Sequence, residues 1–507
     1  MDINLSNSSP HMKRSLYLND YQVFFLLASI SFIILLQNPF APFANKTAYG
    51  DQGVFTYCAK EMINGKLIYK DIFDHKGPVL YLIYIAGLVL LNGNVTGIWL
   101  VELISLTTAA FYMFKTSELF VSKHVAMFSV VYTLLLSTAL ESGIHPQFFS
   151  LPFISITLFL FVRAFSENRF LKTHEIVLIS VLFTLTFLMQ PNLVTLWCGF
   201  GVIILTKYII VNNYRRLCLN LLVVISAVTV TLTPFLIYAF NKQLLPDCVS
   251  CFWNFNRAYS HLSYINVLKG VYYALVNIDK GHAVIPIMLY AGYVTSFNRK
   301  IENKNVHAGI LLSLFLTLFI GCGLSGHPFE HYAIIALPLI CIVVAFCLDY
   351  LHNKLNLTNW MLVFVVATFS WQLVLLQIKY VKYAFKPDNQ LSKIIVFIKN
   401  NTNKNDNIAV IGNDSQLYYL SDRKSCSKYH YTWPIFGAEG FDIDLKRFDV
   451  DIICEYQIDI RRNMPKLIVL KTSEYLQTPN FISKILAENY KQLSYEDTAV
   501  NFYLRIR

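Results

Sequence analysis

The sequence predicts an α-helical multi-pass membrane protein with a small C-terminal extracytoplasmic α/β domain, and three observations carry that expectation. Of 507 residues, 55% are hydrophobic and 14% charged, with a mean hydropathy of +0.47, a charge content well below that of an ordinary soluble domain. About eleven apolar runs reach the length a spanning helix needs, roughly 17 to 25 residues. Beyond residue 378 the pattern changes to short alternating helical and strand periods.

Residues 1–20 form a polar cytoplasmic tail in which Lys13 and Arg14 lead into "YQVFFLLASISFIILLQ". Polar sequence follows that run instead of a small-residue cleavage site, so it reads as a start-transfer helix and not as a signal peptide. Further spans fall near 95–114, 125–140, 148–165, 174–190, 193–211, 217–240, 282–297, 306–324, 332–349 and 360–378. With the first run at 21–37, they make a transmembrane domain over 21–378 with an outer loop at 38–94.

The run 79–91 decides the sidedness of everything after it. If it does not cross, the loops with Lys115 and Lys123, Arg169 and Lys172, Arg215 and Arg216, Arg299, Lys300 and Lys304, and Lys354 share the face of Lys13 and Arg14, as the excess of cationic residues in cytoplasmic loops requires. It is therefore read as a helix in the outer leaflet. The net charge of +11 is explained by these loops, and no nucleic-acid partner is indicated.

The tail, 379–507, runs "DNQLSKIIVFIKNN" (helix), "NIAVIG" (strand), "SQLYYLSDR" (helix), "PKLIVLK" (strand), "NFISKILAENY" (helix) and "NFYLRIR" (strand). None of these segments looks catalytic, and "VIGND" lacks a phosphate-binding glycine pattern. The 10 cysteines show no metal spacing; Cys248 with Cys251, and Cys426 with Cys454, are pairs that could bridge on an oxidising side.

Polar clusters gather on the outer face. Asp51, between Gly50 and Gly53, reads either as a desolvated general base toward a hydroxyl or as the N-cap of "QGVFTYCAKEMING". The segment "DIFDHKGP" sets Asp71, Asp74, His75 and Lys76 before the outer-leaflet run. There Lys76 could hold a phosphate as a point charge, and Asp74 or His75 could bind a divalent metal; interfacial snorkelling is the plain alternative. "SGHPFEHYAIIALP" offers His327, Glu330 and His331 at a helix mouth, suited to a phosphate or a metal. Glu141 and His145 offer similar chemistry, Gln190 and Asn192 neutral hydrogen bonds to a sugar, and Tyr81, Tyr84 and Trp99 either a groove for a lipid tail or ordinary packing.

Taken in order, "GDQGVFTYCAKEMINGKLIYKDIFDHKGP", the many later helices, "HPFEHYAIIALP" and the α/β tail resemble the membrane glycosyltransferases of the GT-C superfamily. Relatives in that group include protein O-mannosyltransferases, lipid A aminoarabinose transferases and O-antigen serotype-converting glucosyltransferases. The resemblance implies Asp51 as catalytic base or part of a metal site, and Lys76 and His331 as donor-phosphate ligands. Gly77 stands where the family often has a proline, and His75 where relatives often carry an acidic residue. It also implies a polyprenyl-phosphate-linked sugar donor, a cell-surface glycan acceptor such as a lipopolysaccharide O-antigen, inversion at the anomeric carbon, and a bacterial inner membrane with the α/β domain periplasmic. No cofactor is indicated beyond a divalent metal. A lipid-linked sugar flippase is the rival class; it predicts inverted repeats and charges within spans, of which the sequence shows no clear case.

Overall fold

The computed structural model of the chain describes residues 19–45, 50–140, 143–260, 263–296, 303–354, 356–436, 448, 450–471, 480–497 and 499–506. Helix α1 (Asp20–Leu35) starts from an Asn19–Gln22 capping box. It is followed by α2 (Asp51–Ile63), α3 (Pro78–Leu90), α4 (Thr96–Glu118), α5 (Lys123–Ser137), α6 (Pro146–Ser166), α7 (Thr173–Phe187), α8 (Thr195–Ile210) and α9 (Tyr214–Asn241). A short α10 (Leu245–Cys248) and α11 (Asn256–Tyr259) flank a π-helical stretch. Then come α12 (Tyr264–Asp279), α13 (Val284–Ser296), α14 (Lys304–Leu316), α15 (Leu337–Lys354) and α16 (Asn359–Ala384).

This is an α-helical multi-pass membrane protein. Among the described residues eight helices are long and apolar enough to cross a bilayer, and α1, α3, α7 and the apolar part of α13 are shorter apolar helices. Each of the eleven expected spans contains a helix. The 13 residues of α3 give about 20 Å of helix against the roughly 30 Å of a hydrocarbon core. It lies against α4 at the closest backbone approach in this region: a Cβ on Gly97 would fall 1.9 Å from the Gly87 carbonyl oxygen. Only glycine permits that contact.

The C-terminal domain opens with α17 (Asn389–Asn401) and carries a five-stranded sheet, β1 (Asn407–Ile411), β2 (Lys424–Ser425), β3 (Leu467–Lys471), β4 (Tyr490–Leu493) and β5 (Val500–Arg505), in the order β2-β1-β3-β5-β4. β1 pairs parallel with β2 and β3, with Val410 opposite Val469; β5 pairs antiparallel with β3 and β4. Ile408, Val410, Leu467, Ile468, Val469 and Phe502 are buried, because continuous apolar runs are what a strand covered on both faces requires. Helices α18 (Gln416–Ser421), α19 (Trp433–Phe436), α20 (Ile452–Asn463) and α21 (Asn480–Asn489) complete the domain. The strands β1, β3 and β5 stand where the sequence places them; α20 and the β4 edge were not expected.

Candidate active site

Gly50 caps α2 with φ 55° and ψ −131°, a conformation open to glycine and costly for other residues. No side chain caps this end. Asp51 is the first helical residue, so the N-cap alternative is corrected by one position. Against the first turn of α2 lies the start of α18: a Cβ on Gly53 would meet the Gln416 Oε1 at 2.7 Å and the Gln416 backbone nitrogen at 3.2 Å. The C-terminal domain is thus seated directly on the turn that carries Asp51.

Two distant imidazoles join this carboxylate. His145 precedes Pro146 at the start of α6, and His331 lies in a 3-10 stretch, Glu330–Ala336, that leads into α15. Their rings stack with centroids 4.3 Å apart and planes 10° from parallel. Asp51, His145 and His331 each place one potential ligand atom within 4.8 Å of the others. Two imidazoles and a carboxylate suit a divalent ion by donor type. Imidazole lone pairs, however, lie in the ring plane, so near-parallel stacked rings do not converge on one ion until one of them turns. His331 sits ahead of the first residue of α15, so the expected anion site at an α-helix N-terminus is not what the fold builds.

Beside this group runs a relay through "DHK". The Asp74 carboxylate is buried and accepts from the Tyr81 hydroxyl (2.7 Å), the Tyr431 hydroxyl (3.2 Å) and the His75 backbone N–H (2.6 Å). His75 Nδ1 lies 3.2 Å from Asp74 Oδ1, and the Lys76 ammonium donates to His75 Nε2 at 3.1 Å. Because Nε2 must accept from an ammonium, the ring proton belongs on Nδ1, facing Asp74. Burial alone would raise the Asp74 carboxyl, but His75, Lys76 and the Tyr81 hydroxyl outweigh it and hold it at about 2. Burial, then the Lys76 charge, push His75 below its ordinary value, against the opposing pull of Asp74 and Asp51. Tyr259 links the relay to the stacked pair: its ring lies 5.8 Å from His75, and its hydroxyl lies 3.4 Å from that of Tyr332, whose ring is 4.8 Å from His331. A metal at Asp74 and His75 is not supported, since both carboxylate oxygens are engaged and a cation already faces the imidazole.

Backbone packing fixes Lys76. The Gly77 N–H donates to Met189 O at 2.9 Å, and a Cβ on Gly77 would fall 1.9 Å from Leu188 O. This contact with the end of α7 explains glycine where the family often has proline. Asn256 donates to His75 O at 2.7 Å, and Tyr69 to Lys76 O at 2.6 Å.

Other expected residues are placed differently. Glu330 pairs with Lys280 and is not among the residues converging with Asp51. His327 stacks on Tyr259 at 4.8 Å. Gln190 accepts from Gln147 and Asn192 donates to Gly321 O. Tyr81, Tyr84 and Trp99 are fully buried and bond to Asp74, Ile144 O and Leu35 O, so they are packing and not a lipid groove. Glu141 lies outside the described residues. All ten cysteines are free thiols.

Tyr259, Tyr431 and Trp433 are additions that the sequence did not disclose. Trp433 lies 6.3 Å from the His75 ring and 5.8 Å from Tyr259. The "HYTW" stretch at 430–433 therefore roofs the relay from the C-terminal domain; its aromatic density within a polar tail was the available signal. Neighbouring His430 touches Ser415 (2.8 Å) and Cys58 (3.5 Å), an arrangement that looks nucleophilic. Burial pushes the thiol well up and the imidazole down to about 3, so the group is inert.

This architecture is shared with membrane proteins of known structure. It is similar over 95% of this chain and 97% of the other to ArnT from Cupriavidus metallidurans, in the apo state (TM-score 0.62, 10% identity). The same protein bound to undecaprenyl phosphate matches with the same coverage and TM-score at 11% identity. An Archaeoglobus fulgidus oligosaccharyltransferase complex with Zn and sulfate matches over 95% of this chain and 73% of the other (TM-score 0.51, 11% identity). Residues 12–363 match the family described as "Putative competence-induced protein Ccs4 N-terminal domain", and the chain belongs to that family. No curated protein matches the sequence.

Proposed function

We propose that the protein is an inverting glycosyltransferase that moves a sugar from a polyprenyl-phosphate donor to a hydroxyl of a cell-surface glycan. The observation that carries this reading is the arrangement of Asp51 and the His145–His331 pair beside a Lys76 held by the Asp74–His75 relay. The fold shared with ArnT, which has a structure bound to undecaprenyl phosphate, supports the donor class.

Asp51 takes the proton of the acceptor hydroxyl as that oxygen attacks the anomeric carbon. The bond from that carbon to the phosphate oxygen breaks, and its electron pair leaves with the polyprenyl phosphate. Negative charge grows on the phosphate in the transition state, where Lys76 and His331 stabilise it. His75 has no proton to give at Nε2, so its part is to aim the Lys76 ammonium.

The cationic loops favour an outward-facing site at a bacterial inner membrane, with the C-terminal domain periplasmic. Glucosylation of a lipopolysaccharide O-antigen is the acceptor reading we favour. The test is a transfer assay with the purified full chain, a panel of polyprenyl-phosphate sugars and membrane-extracted glycan. Product formed by the native chain and lost in Asp51→Asn, a nearly isosteric change, with the variant's thermal midpoint unchanged, supports the reading; product undiminished in Asp51→Asn removes Asp51 as base. No product with any donor, from folded protein, moves a lipid-sugar flippase ahead.

A further inference from the structure

A cavity of about 350 Å³ opens among α6, α7, α8 and α9, within the roughly 300–1,000 Å³ typical of small-molecule sites. It lies at the end of α6 away from His145; the 21 residues of that helix separate its two ends by about 30 Å. The walls are apolar and aromatic, with Phe161, Phe183, Trp197 and Leu221 among them. Of the residues of α9, which closes one side, only Ala227 and Ala239 are buried, so the cavity borders the bilayer.

Its rim is cationic. Arg169 is neutralised by Glu167 and by a two-pronged contact with Glu175 at 2.7 and 2.8 Å. Lys207 and Arg216 have no carboxylate partner among the described residues. The Lys207 ammonium lies 5.0 Å from the centre of the Phe170 ring and the Arg216 guanidinium 4.7 Å from the same centre. Two cations without a carboxylate partner thus approach one aromatic ring, Phe170, which lines the apolar cavity together with Lys207.

We propose that this is a binding site for an anionic membrane phospholipid, in the leaflet opposite the Asp51 site. One acyl chain fills the cavity, and the phosphate lies against Lys207 and Arg216. An apolar chain alone would satisfy the walls; the paired cations select the anionic headgroup, because charge attraction to lipid is strongest near the membrane surface.

Gly201, in α8, lines the cavity, and a Cβ there meets nothing within 4 Å. Gly201→Phe therefore starts from open space, puts a ring where the acyl chain would lie, and replaces the poor helix former glycine. The experiment is native mass spectrometry of the full chain in detergent, titrated separately with phosphatidylglycerol, phosphatidylcholine and undecaprenyl phosphate. The native chain is expected to retain phosphatidylglycerol over phosphatidylcholine. Gly201→Phe should lose that retention, and Lys207→Gln and Arg216→Gln should each weaken it about fivefold. Equal retention of the two phospholipids, or retention unchanged in Gly201→Phe, overturns the proposal. Undecaprenyl phosphate displacing phosphatidylglycerol from the native chain, with one copy fewer retained by Gly201→Phe, overturns the choice of lipid.

Discussion

The hydroxyl of Tyr431 donates to Asp74 Oδ1 at 3.2 Å across 357 residues of sequence. Through Asp74 and His75 that contact reaches the Lys76 ammonium. Tyr431→Phe leaves a buried carboxylate one donor short, a loss of about 1–3 kcal/mol. The expected outcome is a lowered thermal midpoint and a several-fold rise in donor KM, read by steady-state transfer kinetics; an unchanged donor KM would separate the C-terminal domain from donor binding.

Gly77→Ala is expected to be more severe than its size suggests. The added Cβ meets the Leu188 carbonyl oxygen at 1.9 Å, and a backbone contact cannot yield as a flexible side chain would. Either the end of α7 or the loop bearing Lys76 must move. Transfer at saturating acceptor should fall at least tenfold, on the order of the 1–3 kcal/mol typical of overpacking.

Gly53→Ala tests the seat of the C-terminal domain. Its first obstacle is the Gln416 Oε1 at 2.7 Å, the second the Gln416 backbone at 3.2 Å. Activity should drop in the single variant and recover in part in Gly53→Ala with Gln416→Ala, since only the first obstacle is removed. No recovery in the pair would mean that the backbone contact dominates.

The stacked His145–His331 rings, 4.3 Å apart, do not converge on one ion as they stand. Transfer is accordingly expected to survive exhaustive chelation, with His331→Ala raising donor KM. Activity abolished by a chelator and restored by one divalent metal would show that a ring turns to complete a site with Asp51.

His75 predicts a pH effect on stability. Its folded-state affinity for a proton is below the ordinary value, so the unfolded chain binds more protons below about pH 6.5, and the native state loses stability as pH falls through that region. The Asp74 carboxyl is likewise shifted down, so its contribution is present above the usual carboxylate range and is lost as the pH falls from that range toward about 2. The thermal midpoint should fall between about pH 7 and pH 5, and fall less in His75→Gln.

Much of this was legible in the sequence for a physical reason. A spanning helix must be apolar over its whole length, so α4, α6 and α15 announce themselves; the strands "NIAVIG" and "PKLIVLK" are buried on both faces and equally plain. Asp51 and Lys76 were visible as charges beside glycines. The union of Asp51 with His145 and His331 was not, because it depends on how α2, α6 and the 3-10 stretch before α15 cross, and no local period encodes that. Helix α20 was missed although Ile452, Tyr456 and Ile460, all buried, recur every fourth residue; its polar remainder, with Asp459, Arg461 and Arg462, masked the stripe. Tyr431 was missed because a hydroxyl's partner cannot be read from its neighbours in sequence.

The contact between Tyr431 and Asp74 also sets an arithmetic condition on threading. Two touching residues lie on the same side of the bilayer, so the chain between them must cross an even number of times. The eight long apolar helices after Asp74 are an even number, and they stay even, at ten, if Thr173–Phe187 and Val284–Val294 cross with them. Adding α3 makes the number odd and pulls Tyr431 to the other side of the membrane from Asp74. One hydroxyl bond thus constrains the path of the whole chain, and it agrees with the cationic loops without using any of their charges.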